Sequence, residues 1–159
     1  MAVKVFSVEY LDRVVTQAKN SPRLRQHSNI HLDYADPCQR LFNAIEPGSY
    51  IRPHRHGIET LFAIQGLMAL IMFNNYGAIE QVQRFGVDSS PGSLNVASGT
   101  EIPLNKWHTV VSLESGSVLL EIKAGPFDPN MPKTLAPWAP EEGASDGFNY
   151  LKQLMKKII

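Results

Sequence analysis

A single cysteine, Cys38, is all the chain has, so no internal disulfide framework can form and the sequence does not ask for an oxidising compartment. Surplus charge of either sign is also absent, because fifteen Lys and Arg balance fifteen Asp and Glu. That balance argues against a nucleic-acid binder built on a basic face and against a polybasic membrane anchor. No run approaches the roughly 18 apolar residues of a spanning helix, and the opening Met-Ala-Val-Lys-Val-Phe-Ser lacks the apolar stretch of a secretory signal. The cytoplasm is the expected compartment. A Gly-rich phosphate loop, a nucleophile elbow and a dinucleotide fingerprint are missing as well, and so are internal repeats. What is there is 159 residues, 43% of them hydrophobic, enough for one domain with a buried core.

Residues 8–19 read as an amphipathic helix capped by Ser7, with Val8, Leu11, Val14, Val15 and Ala18 on one face and Asn20-Ser21-Pro22 as its stop. The polar stretch from Arg23 to Asp36 reads as a loop. From Gln39 to Lys123 short apolar runs alternate with Gly, Pro and Asn. These predict strands near 39–45, 49–56, 59–65, 67–73, 78–84, 94–97, 100–102, 107–113 and 117–123, with hairpins at Asn74–Gly77 and Ser115-Gly116. Short strands without intervening helices favour an antiparallel barrel or sandwich. Five prolines between Gly125 and Pro140, interleaved with Phe127, Met131, Leu135 and Trp138, suggest an apolar strap over the barrel. A short helix at 147–159 follows, with Phe148, Leu151, Leu154, Met155 and Ile158 on one face and Lys152, Lys156 and Lys157 on the other. The barrel core is thus expected at 39–123, with 1–35 and 124–159 added outside it.

Pro53-His54-Arg55-His56 carries the chemistry. Residues two apart on a strand share a face, so His54 and His56 project together and make half of a first-row metal site, or else two packed or solvated strand histidines. Glu59, past the Gly57-Ile58 turn, can bring a carboxylate to the same point. His108, which opens the run after Pro103–Lys106, is the candidate fourth ligand.

The spacing of Gly48, His54-Arg55-His56, Glu59 and Gly66 resembles the first motif of the cupin superfamily, with Pro103 and His108 in the places of its second motif. Across about residues 22–142 the chain is more specifically similar to the WbuC family of cupin-fold metalloproteins. The match is carried by Gln39-Arg40-Leu41, Asn43-Ala44, Glu46-Pro47-Gly48, Arg52–His56, Trp107-His108-Thr109, Glu121-Ile122-Lys123, Gly125-Pro126 and Ala136–Pro140. The resemblance implies a mainly β protein, a cupin double-stranded β-helix (a jelly-roll-type barrel) with an N-terminal helix and a short C-terminal helix. It also implies one divalent transition metal inside (Zn, Fe, Ni or Mn, with Cu equally compatible with the donors) and a link to bacterial surface-polysaccharide (O-antigen) gene clusters. His54, His56 and His108 are the expected ligands, with Glu59 either completing the set or leaving a three-histidine site with open positions.

Strand parity places Tyr50, Arg52, His54 and His56 on one interior face, so Arg52 is expected to meet either a buried glutamate or an anionic group of the ligand. Tyr50, Glu101 and Glu121 are the candidate catalytic acids or bases. His27 and His31 are expected on the surface, Cys38 as a small packing residue, and Trp107 on the face opposite His108. The expected partner is a small molecule, anionic or sugar-like, in a homodimer that binds neither nucleic acid nor membrane. A metal-dependent sugar-modifying enzyme of isomerase or oxygenase type, a non-catalytic ligand-binding module and a metal-free epimerase are the functions weighed. The clustered histidines argue against the last, since one general base does not need three imidazoles.

Overall fold

A computed structural model describes residues 2–87, 96–130 and 133–159. Helix α1 (Val8–Asn20) precedes strands β1 (Arg25–Asn29), β2 (Cys38–Ile45), β3 (His54–Arg55), β4 (Glu59–Gln65) and β5 (Leu67–Phe73). Then come β6 (Ile79–Gly86), β7 (Gly99–Ile102), β8 (Trp107–Ser112), β9 (Ser117–Ala124), β10 (Thr134–Leu135) and helix α2 (Gly147–Ile158). The strands form two five-stranded antiparallel sheets, ordered β1-β2-β9-β4-β7 and β10-β3-β8-β5-β6. This is the jelly-roll arrangement of the expected fold class. Among the described residues no helix is long and apolar enough to cross a membrane.

Both faces of β5 are covered, which explains why it is apolar at every position. Met68 and Leu70 point into the barrel with Ile45, Leu61, Phe85 and Leu119. Ala69, Ile71 and Phe73 point out, beneath Ala136 and Ala139 of the strap and Leu151, Leu154 and Ile158 of α2. The outer face of the other sheet lies under α1, where Leu11, Val14, Val15 and Ala18 pack on Phe42, Ala44 and Val118. Ser7 caps α1 as expected, its hydroxyl accepting the Tyr10 N–H. At Gly66, between β4 and β5, φ is +76° and an added Cβ would stand 2.4 Å from the Ser117 hydroxyl, so no other residue fits this turn.

Several expectations need correction. The expected loop at 23–36 contains β1, and β10 lies in the strap, so both flanking segments add an edge strand to the sheets. The expected strand 49–56 shrinks to His54–Arg55. Pro53 has no N–H to donate, and the Arg52 N–H goes instead to the Glu142 carboxylate. Val8 and Phe148 are exposed rather than on the buried helix faces, as is Leu135 of the strap. Cys38 is exposed rather than packed. The expected strand at 94–97 falls largely outside the described residues, as does Met131 of the strap.

Candidate metal centre

His54 on β3 lies directly opposite His108 on β8, and opposed residues of an antiparallel pair share a face. Their ring centroids are 4.5 Å apart, and the His56 ring is 5.2 Å from His54 and 5.0 Å from His108. One ring nitrogen from each falls within 4.8 Å of the others. Each imidazole is oriented by a carbonyl of its own segment. His54 Nδ1 lies 2.9 Å from the Arg52 oxygen, His56 Nδ1 2.8 Å from that of Gly57 and His108 Nδ1 2.8 Å from that of Lys106. A carbonyl only accepts, so Nδ1 carries the proton in each neutral ring and Nε2 is the nitrogen free to ligate.

Glu59 enters from the opposite sheet. Its Oε2 lies 2.9 Å from His56 Nε2 and 3.9 Å from His108 Nε2, and its side chain is buried. Behind it Glu121 and Lys123 of β9 face the same space, with Lys123 Nζ 2.5 Å from the Glu121 carboxylate. Burial, and then the charge of Lys133, pushes His54 well below the usual imidazole range. Burial likewise takes His108 down to about 4. Burial would also lower His56, but the Glu59 carboxylate outweighs it and the net shift is upward. Burial and the neighbouring Glu59 charge push the Glu121 carboxyl up. Glu59 is held down despite its burial by its contacts to His56 and Glu121.

Bare nitrogens facing a carboxylate at 2.9 Å repel unless a proton or a cation lies between them. Three imidazole Nε2 atoms and a carboxylate oxygen are a donor set that suits a first-row dication, and the neutral His54 and His108 are already in the ligating form. The centre lies in the wall of a cavity of about 770 Å³, also lined by Arg25, His27, Asn43, Leu61, Val110, Leu119 and Lys133. Asn43 Oδ1 is buried there without a hydrogen-bond partner among the described residues. A second cavity of about 470 Å³, between Gly48-Ser49 and α2, has neither histidine nor carboxylate in its lining.

The structure thus brings together His54, His56, Glu59, His108 and Glu121 of the sequence-derived candidates. It does not bring Tyr50, Arg52 or Glu101 to the cavity. Without a strand through 49–53 the parity lapses. Tyr50 turns outward to donate to the Pro140 carbonyl at 2.8 Å, and Arg52 donates to the Ala136 carbonyl at 2.9 and 3.2 Å. Glu101 is exposed and accepts from Thr60 at 3.2 Å, on the face of β7 opposite to Ile102. His31 is buried rather than superficial, its Nδ1 3.0 Å from the Arg40 N–H, while His27 lines the cavity from β1. Trp107 packs on the outer face as expected. Lys123, Lys133, Asn43 and Arg25 were not singled out, because polar residues scattered over β1, β2, β9 and the strap have no ligand spacing to mark them.

Solved structures similar to this chain are cupin-fold proteins. KdgF from Halomonas sp. is 16% identical over 70% of this chain and 88% of its own, with a TM-score of 0.50. The polyketide cyclase RemF from Streptomyces resistomycificus is 16% identical over 80% of this chain and 78% of its own, with a TM-score of 0.53. The capsular polysaccharide assembling protein CapF from Staphylococcus aureus is 18% identical over 72% of this chain and 32% of its own, with a TM-score of 0.54. At these identities the likeness shows the fold, a cupin barrel. No curated protein matches the sequence. The family model described as a domain of unknown function, DUF6016, matches residues 6–85, a span that runs through α1, the His54–His56 pair and Glu59. The chain belongs to the DUF6016 family.

Proposed function

We propose that this protein is a metal-dependent cupin that binds and acts on a small, oxygen-rich, sugar-related molecule in bacterial surface-polysaccharide biosynthesis, as its resemblance to the WbuC family implies. The observation that carries the reading is the approach of one ring nitrogen from each of His54, His56 and His108 to within 4.8 Å of the others. In this reading His54, His56 and His108 hold one divalent transition metal, and Glu59 supplies a fourth, anionic ligand. Such an ion polarises a carbonyl or lowers the pKa of a water. Glu121, whose carboxyl burial and the neighbouring Glu59 charge push up, would serve as an acid or base beside the ligand. Asn43 Oδ1, buried and unpartnered among the described residues, suits a ligand hydroxyl. The likeness to CapF, a capsular polysaccharide assembling protein, supports the sugar connection.

A non-catalytic, metal-dependent binding module is the second reading, favoured by the Lys123 ammonium that ties Glu121 in place. β1 stands at the edge of its sheet, which supports a homodimer that light scattering tests. Elemental analysis of the freshly purified protein should find one transition metal per chain. Calorimetry with nucleotide-sugars and sugar acids should then find binding that chelation abolishes. Protein that neither holds nor takes up a metal would overturn the reading.

A further inference from the structure

Lys133 stands one residue ahead of β10, where the strand register decides its direction. Thr134 pairs with Arg55 and Leu135 with His54, and the Ala136 N–H donates to the Pro53 carbonyl at 2.8 Å. One step further in this antiparallel register sets Lys133 opposite His56. Opposed residues share a face, so Lys133 takes the cavity face with His56. Arg55, on the alternate parity, lies 4.4 Å over the Trp107 ring on the outer face. Lys133 is accordingly part of the cavity lining. The strap that carries it is anchored, since Arg52 holds the Ala136 carbonyl at 2.9 Å.

The charges around the cavity single this residue out. Arg23 and Arg25 reach Glu142 at 3.0 and 2.5 Å, and Lys123 reaches Glu121 at 2.5 Å. Among the described residues no ion pair includes Lys133. Asp128 shares the rim and accepts from the Asn130 N–H at 2.8 Å. We propose that Lys133 reads an anion: the ligand held by one oxygen at the three-histidine centre carries a carboxylate or phosphate that pairs with the Lys133 ammonium. The cavity's apolar wall, Leu61, Val110 and Leu119, would cover the ligand's carbon skeleton. This inference rests on the metal reading above, and it replaces the cationic role expected of Arg52.

Cobalt(II)-loaded protein tests it, because the visible absorption of cobalt responds when a ligand reaches the metal. Malonate and inorganic phosphate, titrated separately, distinguish a carboxylate from a phosphate as the preferred group, and imidazole serves as a neutral probe. Lys133→Met should take up cobalt like the wild type, bind the preferred anion about tenfold or more weakly and bind imidazole unchanged. Lys133→Arg should restore most of the anion affinity. Equal anion affinity in the wild type and Lys133→Met, or a wild-type protein that binds cobalt but neither anion, would overturn the role of Lys133 and leave the metal reading standing. A wild-type protein that takes up no cobalt would overturn both.

Discussion

The two sheets face each other across one cavity but bring different chemistry to it. The β3–β8 side presents neutral imidazoles, His54 and His108, each held by a backbone carbonyl two residues earlier. The β4–β9 side presents charge, namely Glu59, Glu121 and Lys123. The short segment His54–Glu59 crosses from one sheet to the other through the Gly57-Ile58 turn, so a single stretch of sequence places donors on both walls. The outer faces differ too. One is covered by α1 alone and the other by α2 together with the strap. The lesson is a division of labour, with imidazoles on the wall where backbone carbonyls fix their orientation and carboxyl and ammonium groups on the wall where they hold one another.

If that division is right, removing an imidazole should have the largest effect. His108→Ala should lose metal by about 100-fold or more in affinity while circular dichroism shows the barrel intact, and full metal content in the variant would break the comparison. Glu59→Gln, on the charged wall, should weaken retention by about 10- to 100-fold if the carboxylate is a direct ligand, and less if it only orients His56. Competition with a chelator reads both variants.

The covers should affect stability and leave the metal in place. Leu151→Ala under the strap should cost about 3 kcal/mol and Val14→Ala on α1 about 2 kcal/mol in denaturant unfolding. Neither should lower metal content. Removal of residues 1–20 should leave a less stable but folded, metal-binding protein, since α1 only lies against the outer face of its sheet.

A smaller effect is expected where the strap meets β1. Burial alone would raise the Glu142 carboxyl, but its hydrogen bond from Arg25 outweighs that and lowers it. A carboxyl lowered by folding adds stability that is complete above its unfolded pKa and is lost as pH falls through the folded value. The unfolding midpoint should therefore drop on acidification from about pH 5 to about pH 3. Glu142→Gln should cost about 2 kcal/mol at neutral pH and flatten that slope. An unchanged slope would show that other carboxylates carry it.

Much of this architecture is local information. The alternation of short apolar runs with Gly and Asn marks β4, β5, β8 and β9 to within a residue or two, and β5, buried on both faces, is apolar throughout. The helix at Val8–Asn20 shows itself through its Ser7 cap and its apolar stripe. His54, His56, Glu59 and His108 were legible because metal chemistry demands particular residue types, and the first three lie within six positions of one another. β1 and β10 were not legible: β1 is polar throughout and β10 is only two residues long, and they exist as strands only because β2 and β3 offer edges for them to pair with.

The amino-acid sequence by itself therefore determined the barrel, its covering helices and the residue types of the candidate metal centre, since periodicity, capping and donor chemistry act over a few neighbouring positions. Only the tertiary structure decided which way Arg52 and Lys133 face. That direction depends on Pro53 interrupting one strand and on a strap about eighty residues further along pairing with the remainder, a long-range hydrogen-bond register that no local pattern encodes.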